Sequence, residues 1–141
     1  MTAPAIAAVS VAVLRGAKVL LVQRGHGAAI GQWAFPGGRI QSGETEEAAA
    51  LRELAEETAI TARLTGTLAR YAVPASPTLG PIDLMVFTAS YVAGTARAQD
   101  DARAVVWIRP QDALTRDLAV NMADALRRLY HPPERITPVP R

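Results

Sequence analysis

Short apolar runs separated by turn residues dominate the first third of the chain. Residues 9–14 and 18–23 are both rich in valine and lie on either side of a short turn, a pattern that predicts a β-hairpin. The glycine-rich residues 25–32 predict a loop, and residues 33–35 predict a short strand that the segment Pro36-Gly37-Gly38 ends. This part of the chain is therefore expected to be rich in strands.

Helical and extended patterns follow one another through the rest of the chain. Residues 45–59 and 118–130 place apolar positions at the spacing of amphipathic helices. Three further segments predict strands and one predicts a helical turn: 60–73, 83–92, 104–108 and 110–114. This order predicts an α/β (α+β) fold, in which helices flank a mixed sheet, in a single domain over residues 1–141. The proline-rich residues 131–141 are expected to form an extended or frayed tail.

The composition is that of a folded domain, and it excludes several kinds of chemistry. Apolar residues make up 50% of the 141 residues and charged residues 20%, which is typical of a globular protein with a sizeable core. The chain has no cysteine, so disulfides, thiolate metal sites and cysteine nucleophiles are excluded. The net charge is only +2 and the basic residues are scattered, so we expect a small anionic partner and no nucleic acid.

The apolar residues 5–14 invite comparison with a signal peptide. No lysine or arginine precedes them and a second strand-like run follows at once, so a pair of strands explains them better. No apolar run approaches the ~18 residues that a membrane-spanning helix needs. We therefore expect a cytoplasmic protein without membrane association.

Three glutamates are concentrated in the stretch RELAEET, residues 52–58. On a helix, Glu53, Glu56 and Glu57 fall within an arc of about 100°, and Arg52 is the only cation of that helix. Glu53 and Glu57 are like charges four residues apart, a spacing that costs roughly a few tenths of a kcal/mol of helix stability. Such a face is either a solvated helix surface or a site for a divalent cation, and the scarcity of paired cations favours the second.

The glutamates belong to a longer pattern, GRIQSGETEEAAALRELAEETAI, residues 38–60. Its spacing resembles the signature of the Nudix hydrolases, G-x5-E-x7-R-E-U-x-E-E-x-G-U with U an apolar residue, and the preceding WAFPGG is also similar to the family. Ala59 replaces the last glycine of that signature. Alanine there either takes the left-handed conformation, at a cost of roughly 1 kcal/mol, or lets the helix continue by one residue. Neither outcome moves the glutamates.

The resemblance implies a Nudix-type α/β/α sandwich that hydrolyses the diphosphate linkage of a nucleoside diphosphate derivative. It also implies Mg²⁺, with Mn²⁺ as a substitute, because charge neutralisation and in-line positioning carry most of the catalysis of phosphoryl transfer. Arg52 is implied to orient a catalytic glutamate. The implied metal ligands are the carbonyl of Gly37 and the carboxylates of Glu53, Glu56 and Glu57.

An acidic pair lies where many family members carry a general base, just before the last strand. Asp101 is therefore the candidate general base, with Glu53 as its rival. From the residues alone, the acidic pair equally fits a solvated turn. Asp100 precedes it, and we expect only one of the two aspartates to face the site, because neighbours in an extended segment point to opposite sides.

Four residues are candidates for substrate binding: Trp33 to stack on a base, Gly38 to let a phosphate approach, Glu44 before the helix and Asn121 to read a purine edge. From the residues alone, Glu44 equally fits the metal shell or a cap of the helix N-terminus. For Trp33 a core position, and for Asn121 a helix-surface position, is the commoner role of such a residue.

Three functions are compatible with the resemblance. The stretch DDA…W, residues 100–107, is similar to that of short family members assigned to ADP-ribose, so we favour ADP-ribose or a nucleotide sugar. The first alternative is a pyrophosphohydrolase that removes oxidised or non-canonical nucleoside triphosphates. The second is a catalytically silent module that binds nucleotides as a sensor, which would be expected to have lost helix carboxylates. Homodimers are common in the family, so a homodimer is the assembly to test.

Overall fold

The computed structural model describes residues 4–27 and 29–130. The described residues form seven strands: β1 (Ile6–Arg15), β2 (Lys18–Arg24), β3 (Trp33–Ala34), β4 (Gly37–Arg39), β5 (Thr61–Val73), β6 (Ile82–Ala93) and β7 (Ala102–Ile108). They also form three helices: α1 (Glu46–Thr58), α2 (Pro110–Ala113) and α3 (Met122–Tyr130). Within those ranges, no helix has the length and hydrophobicity of a membrane-spanning segment.

One mixed sheet, with β1 in its interior, contains all of these strands. β1 runs parallel to β6, while β5 pairs with β6 and β7 pairs with β2 in the antiparallel direction. The β1–β2 hairpin is paired only near its turn, where Leu14 faces Val19. Farther from the turn, β3 pairs with β2 and β4 pairs with β1. Residues 33–39 therefore fill a gap between two separating strands, and this places Gly37 and Gly38 beside β1.

A different helix covers each face of the sheet. Successive residues of β1 point to opposite faces, so they pack in two different buried clusters. Val11 and Val13 belong to the same buried cluster as Leu54 of α1. Ala12 belongs to a second buried cluster, which contains Leu126 of α3. The predicted arrangement, a mixed sheet between helices, is confirmed.

Helix α1 forms close to its predicted bounds. The Thr45 hydroxyl accepts a hydrogen bond from the amide of Ala48 at 3.0 Å, so Thr45 is the N-cap. The helix ends at Thr58, and Ala59 has a φ of 64°, with its amide donating to the Ala55 carbonyl. Of the two outcomes considered for Ala59, the left-handed conformation is the one adopted.

Helix α3 begins later than predicted, at Met122 and not at residue 118. Leu118 forms a bridge with Trp33, and the amide of Ala119 donates to the Trp33 carbonyl at 3.0 Å. Asn121, with a φ of 69°, then turns the chain into the helix. The predicted start was wrong because side-chain periodicity does not reveal that the backbone of residues 118 and 119 pairs with Trp33 of β3. The predicted tail, residues 131–141, lies outside the described residues.

Candidate functional site

A cleft of about 620 Å³ opens where α1, β4 and the turn before β7 meet. Its acidic lining residues are Glu53, Glu56, Glu57, Asp100 and Asp101, and the others are Arg24, His26, Gly37, Gly38 and Arg39. Another depression, over residues 75–81, is lined by no charged side chain. We therefore assign the chemistry to the first cleft, which five acidic residues line.

Arg52, in the middle of α1, binds several of the carboxylates around it. Its Nε and Nη2 donate to the two oxygens of Glu44 at 2.6 and 2.9 Å, which is a bidentate ion pair. Its Nη1 donates to Glu53 at 2.9 Å and to Glu56 at 3.2 Å, and Nη2 also donates to the Arg39 carbonyl at 3.1 Å. One guanidinium therefore orients three carboxylates and ties α1 to β4.

Glu44 forms an ion pair with Arg52 and does not cap the helix N-terminus. The hydrogen bonds from Arg52, together with one from the amide of Gln41 at 3.0 Å, lower the pKa of Glu44 to about 2. The helix cap is Thr45, so the capping role considered for Glu44 is wrong. Glu44 is also not among the residues that line the cleft. Its position supports a role in fixing Arg52.

Glu57 is the most perturbed carboxyl group of the cleft. Burial, with a smaller contribution from the nearby charge of Glu53, raises its pKa to about 7. The amide of Gly37, which donates to Glu57 Oε1 at 3.2 Å, and the charge of Arg24 oppose this rise. The negative charge of a carboxyl group that is partly buried beside a like charge is unfavourable. Such a group is stabilised when it takes up a proton or when a cation binds to it.

The two glycines of β4 are required for steric reasons. A Cβ at Gly37 would collide with the β1 backbone, lying 2.7 Å from Cα of Ser10. A Cβ at Gly38 would lie 2.5 Å from the carboxyl carbon of Glu53. Gly38 therefore leaves the space that the Glu53 carboxylate occupies, and Arg52 donates a hydrogen bond to that carboxylate.

These side chains fit a cation of the Mg²⁺ type. Carboxylate and carbonyl oxygens are hard ligands, and Mg²⁺ is commonly held by few protein ligands together with phosphate and water. In residues 4–27 and 29–130, no three acidic or imidazole groups are arranged to hold one ion by themselves. Glu53 and Glu56 each direct one oxygen to Arg52. The donor set therefore suits a site that substrate and water complete.

The acidic turn before β7 brings both aspartates to the cleft. Asp100 has a φ of 48°, so the chain turns there and is not extended. The extended segment assumed for this pair is therefore not formed, and both residues line the cleft. Asp101 lies 3.1 Å from Nδ1 of His26, with 84% of its side chain exposed, and its carbonyl accepts from the amide of Gly25 at 2.8 Å.

Comparison with known proteins identifies the architecture around this cleft. The model of the NUDIX domain family matches residues 4–129, which include the motif at residues 38–60. The chain belongs to the NUDIX family. The resemblance inferred from the motif is confirmed, and the left-handed Ala59 is a departure from the signature within a member of the family.

Several NUDIX relatives are similar over most of this chain. An ADP-ribose pyrophosphatase from Methanocaldococcus jannaschii is 35% identical over 86 residues, which cover 61% of this chain and 51% of that protein. The chain thus spans about half the length of this relative. CTP pyrophosphohydrolase of Escherichia coli is 32% identical over 115 residues, 81% of this chain and 83% of that protein. A crystal structure of a MutT NUDIX hydrolase from Burkholderia pseudomallei has a TM-score of 0.80 at 25% identity, over 89% and 98% of the two chains.

Two predicted substrate-binding residues lie away from the carboxylates. Trp33 packs against the cluster on the α3 face, with the guanidinium carbon of Arg116 4.7 Å from its ring centroid. Asn121 forms the turn before α3. Neither residue lines the cleft, so the structure does not bring them together with Glu53, and their binding roles stay predictions.

Gln99 is a residue of the site region that the sequence analysis missed. Its side-chain amide donates to the carbonyls of Ala55 and Glu56, both at 3.1 Å, and its backbone amide donates to the carbonyl of Glu57 at 2.9 Å. One signal was available: the last carbonyl groups of a helix lack partners within it, and the last turn of α1 has no basic residue that could donate to them. The pattern could not show which residue supplies them.

Proposed function

We propose that this NUDIX chain is a divalent-metal-dependent pyrophosphohydrolase that cleaves the diphosphate linkage of a nucleoside diphosphate derivative. The observation that carries the proposal is the convergence of the α1 glutamates and the Asp100–Asp101 pair on one cleft. A diphosphate is already negatively charged, so its hydrolysis depends on neutralising charge and on aligning the attacking water. Arg24 and Arg39 in the same lining offer further partners for phosphate oxygens.

The proposed metal ligands are Glu53, Glu56, Glu57 and the Gly37 carbonyl. Bound Mg²⁺, or Mn²⁺ in its place, would supply neutralisation of the diphosphate oxygens. Arg52 contributes indirectly, because its donors already bind protein oxygens and hold the Glu53 carboxylate against Gly38. Its part in the reaction is therefore to orient Glu53.

Asp101 is the proposed general base. As the oxygen of a water molecule forms its bond to phosphorus, Asp101 accepts the proton of that water, and the bridging oxygen leaves with the other phosphate. Its exposed carboxylate belongs to the cleft that the helix glutamates also line, and Glu53 is the rival in that role. Removal of one carboxylate at a time distinguishes the two.

ADP-ribose or a related nucleotide sugar is the substrate class we favour. The DDA…W stretch, residues 100–107, and the similarity to an ADP-ribose pyrophosphatase both support this choice. Hydrolysis would then yield AMP and ribose phosphate. The expected ligand is thus a nucleotide-derived small molecule, and a cytoplasmic location and a homodimer stay predictions.

A nucleoside triphosphate is the second candidate substrate. The alignment with a CTP pyrophosphohydrolase extends over 81% of this chain, against 61% for the ADP-ribose pyrophosphatase. Such a substrate would yield a nucleoside monophosphate and pyrophosphate. A catalytically silent sensor is the least supported function, because Glu53, Glu56 and Glu57 are all present and all line the cleft.

A substrate panel tests the proposal directly. ADP-ribose, nucleotide sugars, CTP and an oxidised purine triphosphate would each be incubated with the protein and Mg²⁺, and the products separated by phosphate content. AMP with ribose phosphate supports our first choice, whereas a monophosphate with pyrophosphate supports the second. Binding without turnover of any compound would identify a sensor. Glu53→Gln and a chelator serve as controls, since activity that survives both does not come from this cleft.

A further inference from the structure

The C-terminal end of α1 is capped by a residue far away in the chain. Gln99 supplies three donors to three successive carbonyls, those of Ala55, Glu56 and Glu57, at 3.1, 3.1 and 2.9 Å. The last turn of α1 contains no basic residue, so these carbonyls have no charged partner within the helix. Gln99 is half-buried although its neighbours are exposed, which is consistent with a side chain fixed against the helix.

The same residue begins the acidic turn. The Gln99 carbonyl accepts from the amide of Ala102 at 2.9 Å, which closes the turn that contains Asp100 and Asp101. On its other side, the Asp101 carbonyl accepts from the amide of Gly25 at 2.8 Å. The Asp101 carboxylate also lies 3.1 Å from Nδ1 of His26, so residues 25 and 26 contact one end of the turn. The Gln99 contact joins the other end to the helix that carries the glutamates.

We propose that Gln99 is a positioning residue, which sets the distance between the Asp101 carboxylate and the glutamates of α1. The proposal rests on the proposed function, in which these groups act on the same water and diphosphate. Gln99 itself does not line the cleft, so it acts through Asp101 and not on the substrate. Errors of about 1 Å in the placement of a catalytic group can lower turnover by roughly 100-fold.

Three variants separate positioning from general stability. Gln99→Leu keeps the approximate volume and removes the side-chain donors, whereas Gln99→Lys restores a donor to the helix carbonyls. Gln111→Leu makes the same chemical change at an exposed position of α2 and is the matched control. We expect kcat to fall roughly 10- to 100-fold in Gln99→Leu, with KM changed less than about twofold and the Mg²⁺-induced rise in Tm unchanged. Gln99→Lys should recover most of the turnover.

A double-mutant cycle tests whether Gln99 works through Asp101. If it does, adding Gln99→Leu to Asp101→Asn should cause little further loss, because the placed carboxylate is already gone. If the double variant instead shows a loss of kcat equal to the product of the two single losses, the proposal is overturned. Wild-type turnover in Gln99→Leu, no recovery in Gln99→Lys, or loss of the Mg²⁺ response in Gln99→Leu would overturn it too.

Hydrogen exchange tests the same contact without any substrate. In Gln99→Leu, the amides of Gly25 and Ala102 should exchange at least about fivefold faster than in wild type, while Gln111→Leu should leave them unchanged. Unchanged exchange in Gln99→Leu would refute the positioning role. Absence of turnover in the wild-type protein would instead refute the proposed function, and the exchange result would still decide whether Gln99 holds the turn.

Discussion

Glu57→Gln should make the metal-free protein more stable above neutral pH. The pKa of Glu57 is about 7 in the folded protein, against an ordinary value of 4.5, chiefly because burial disfavours the charged form. The folded state thus retains a proton that the unfolded state has released. The stability that this retained proton contributes is fully present below pH 4.5 and is lost as the pH rises through 7.

The size of the effect follows from the two pKa values. Their difference corresponds to roughly 3 kcal/mol at 1.36 kcal/mol per unit, and solvent access to the partly exposed group reduces this to about 2 kcal/mol. Glutamine carries no charge at any of these pH values and its Oε1 can still accept from the amide of Gly37. The variant should therefore lack the loss of stability that the wild type shows between pH 5 and 8.

Urea denaturation in the presence of a chelator, at intervals from pH 5 to 8, measures this difference. Adding Mg²⁺ at pH 8 should then stabilise the wild type and leave Glu57→Gln nearly unchanged, because a ligand that binds only the folded state stabilises it. Glu47→Gln, an exposed position on the first turn of α1, controls for the removal of a helix charge. Parallel pH profiles for wild type and Glu57→Gln would refute the reasoning, and an equal Mg²⁺ response would place the metal elsewhere.

The remaining predictions concern the other groups of the site and the end of α1. Glu53→Gln should lower kcat by several orders of magnitude with little change in Tm; a variant that unfolds but keeps its activity per folded molecule would assign Glu53 a structural role. Gly38→Ala should also lower kcat, because its Cβ would lie 2.5 Å from the Glu53 carboxyl carbon, and Gly38→Ala activity equal to wild type would contradict the steric argument. Asp101→Asn should lower kcat by roughly 10²–10⁴-fold with little change in KM and should alter the acidic limb of the pH–rate profile. Asp100→Asn is its neighbouring comparison, and full turnover in both would leave the helix glutamates as the base. Ala59→Gly should raise stability by about 0.5–1 kcal/mol, seen as a Tm higher by about 2–4 °C, because glycine accepts a φ of 64° without strain; a lower Tm would show that unfolded-state entropy outweighs that strain.

Local backbone geometry explains why much of this protein was predictable from its sequence. Residues three and four apart lie on one side of a helix, so the shared face of Glu53, Glu56 and Glu57 followed from their spacing alone. Thr45 as the start of α1 and the first hairpin also depend on neighbouring residues, and both were predicted nearly in place. The long motif around the glutamates then identified the family before any strand order was known.

Tertiary structure decided the features that depend on residues far apart in the chain. Gln99 caps α1 from a separation of 44 residues, and Leu118 leaves the predicted helix because it bridges Trp33 on β3. Likewise, Asp100 and Asp101 both line the cleft because their turn is held by hydrogen bonds to α1 on one side and to Gly25, which follows β2, on the other. The physical reason is that hydrogen-bond donors and acceptors look alike in a sequence pattern, and the order of strands in the sheet determines which of them meet.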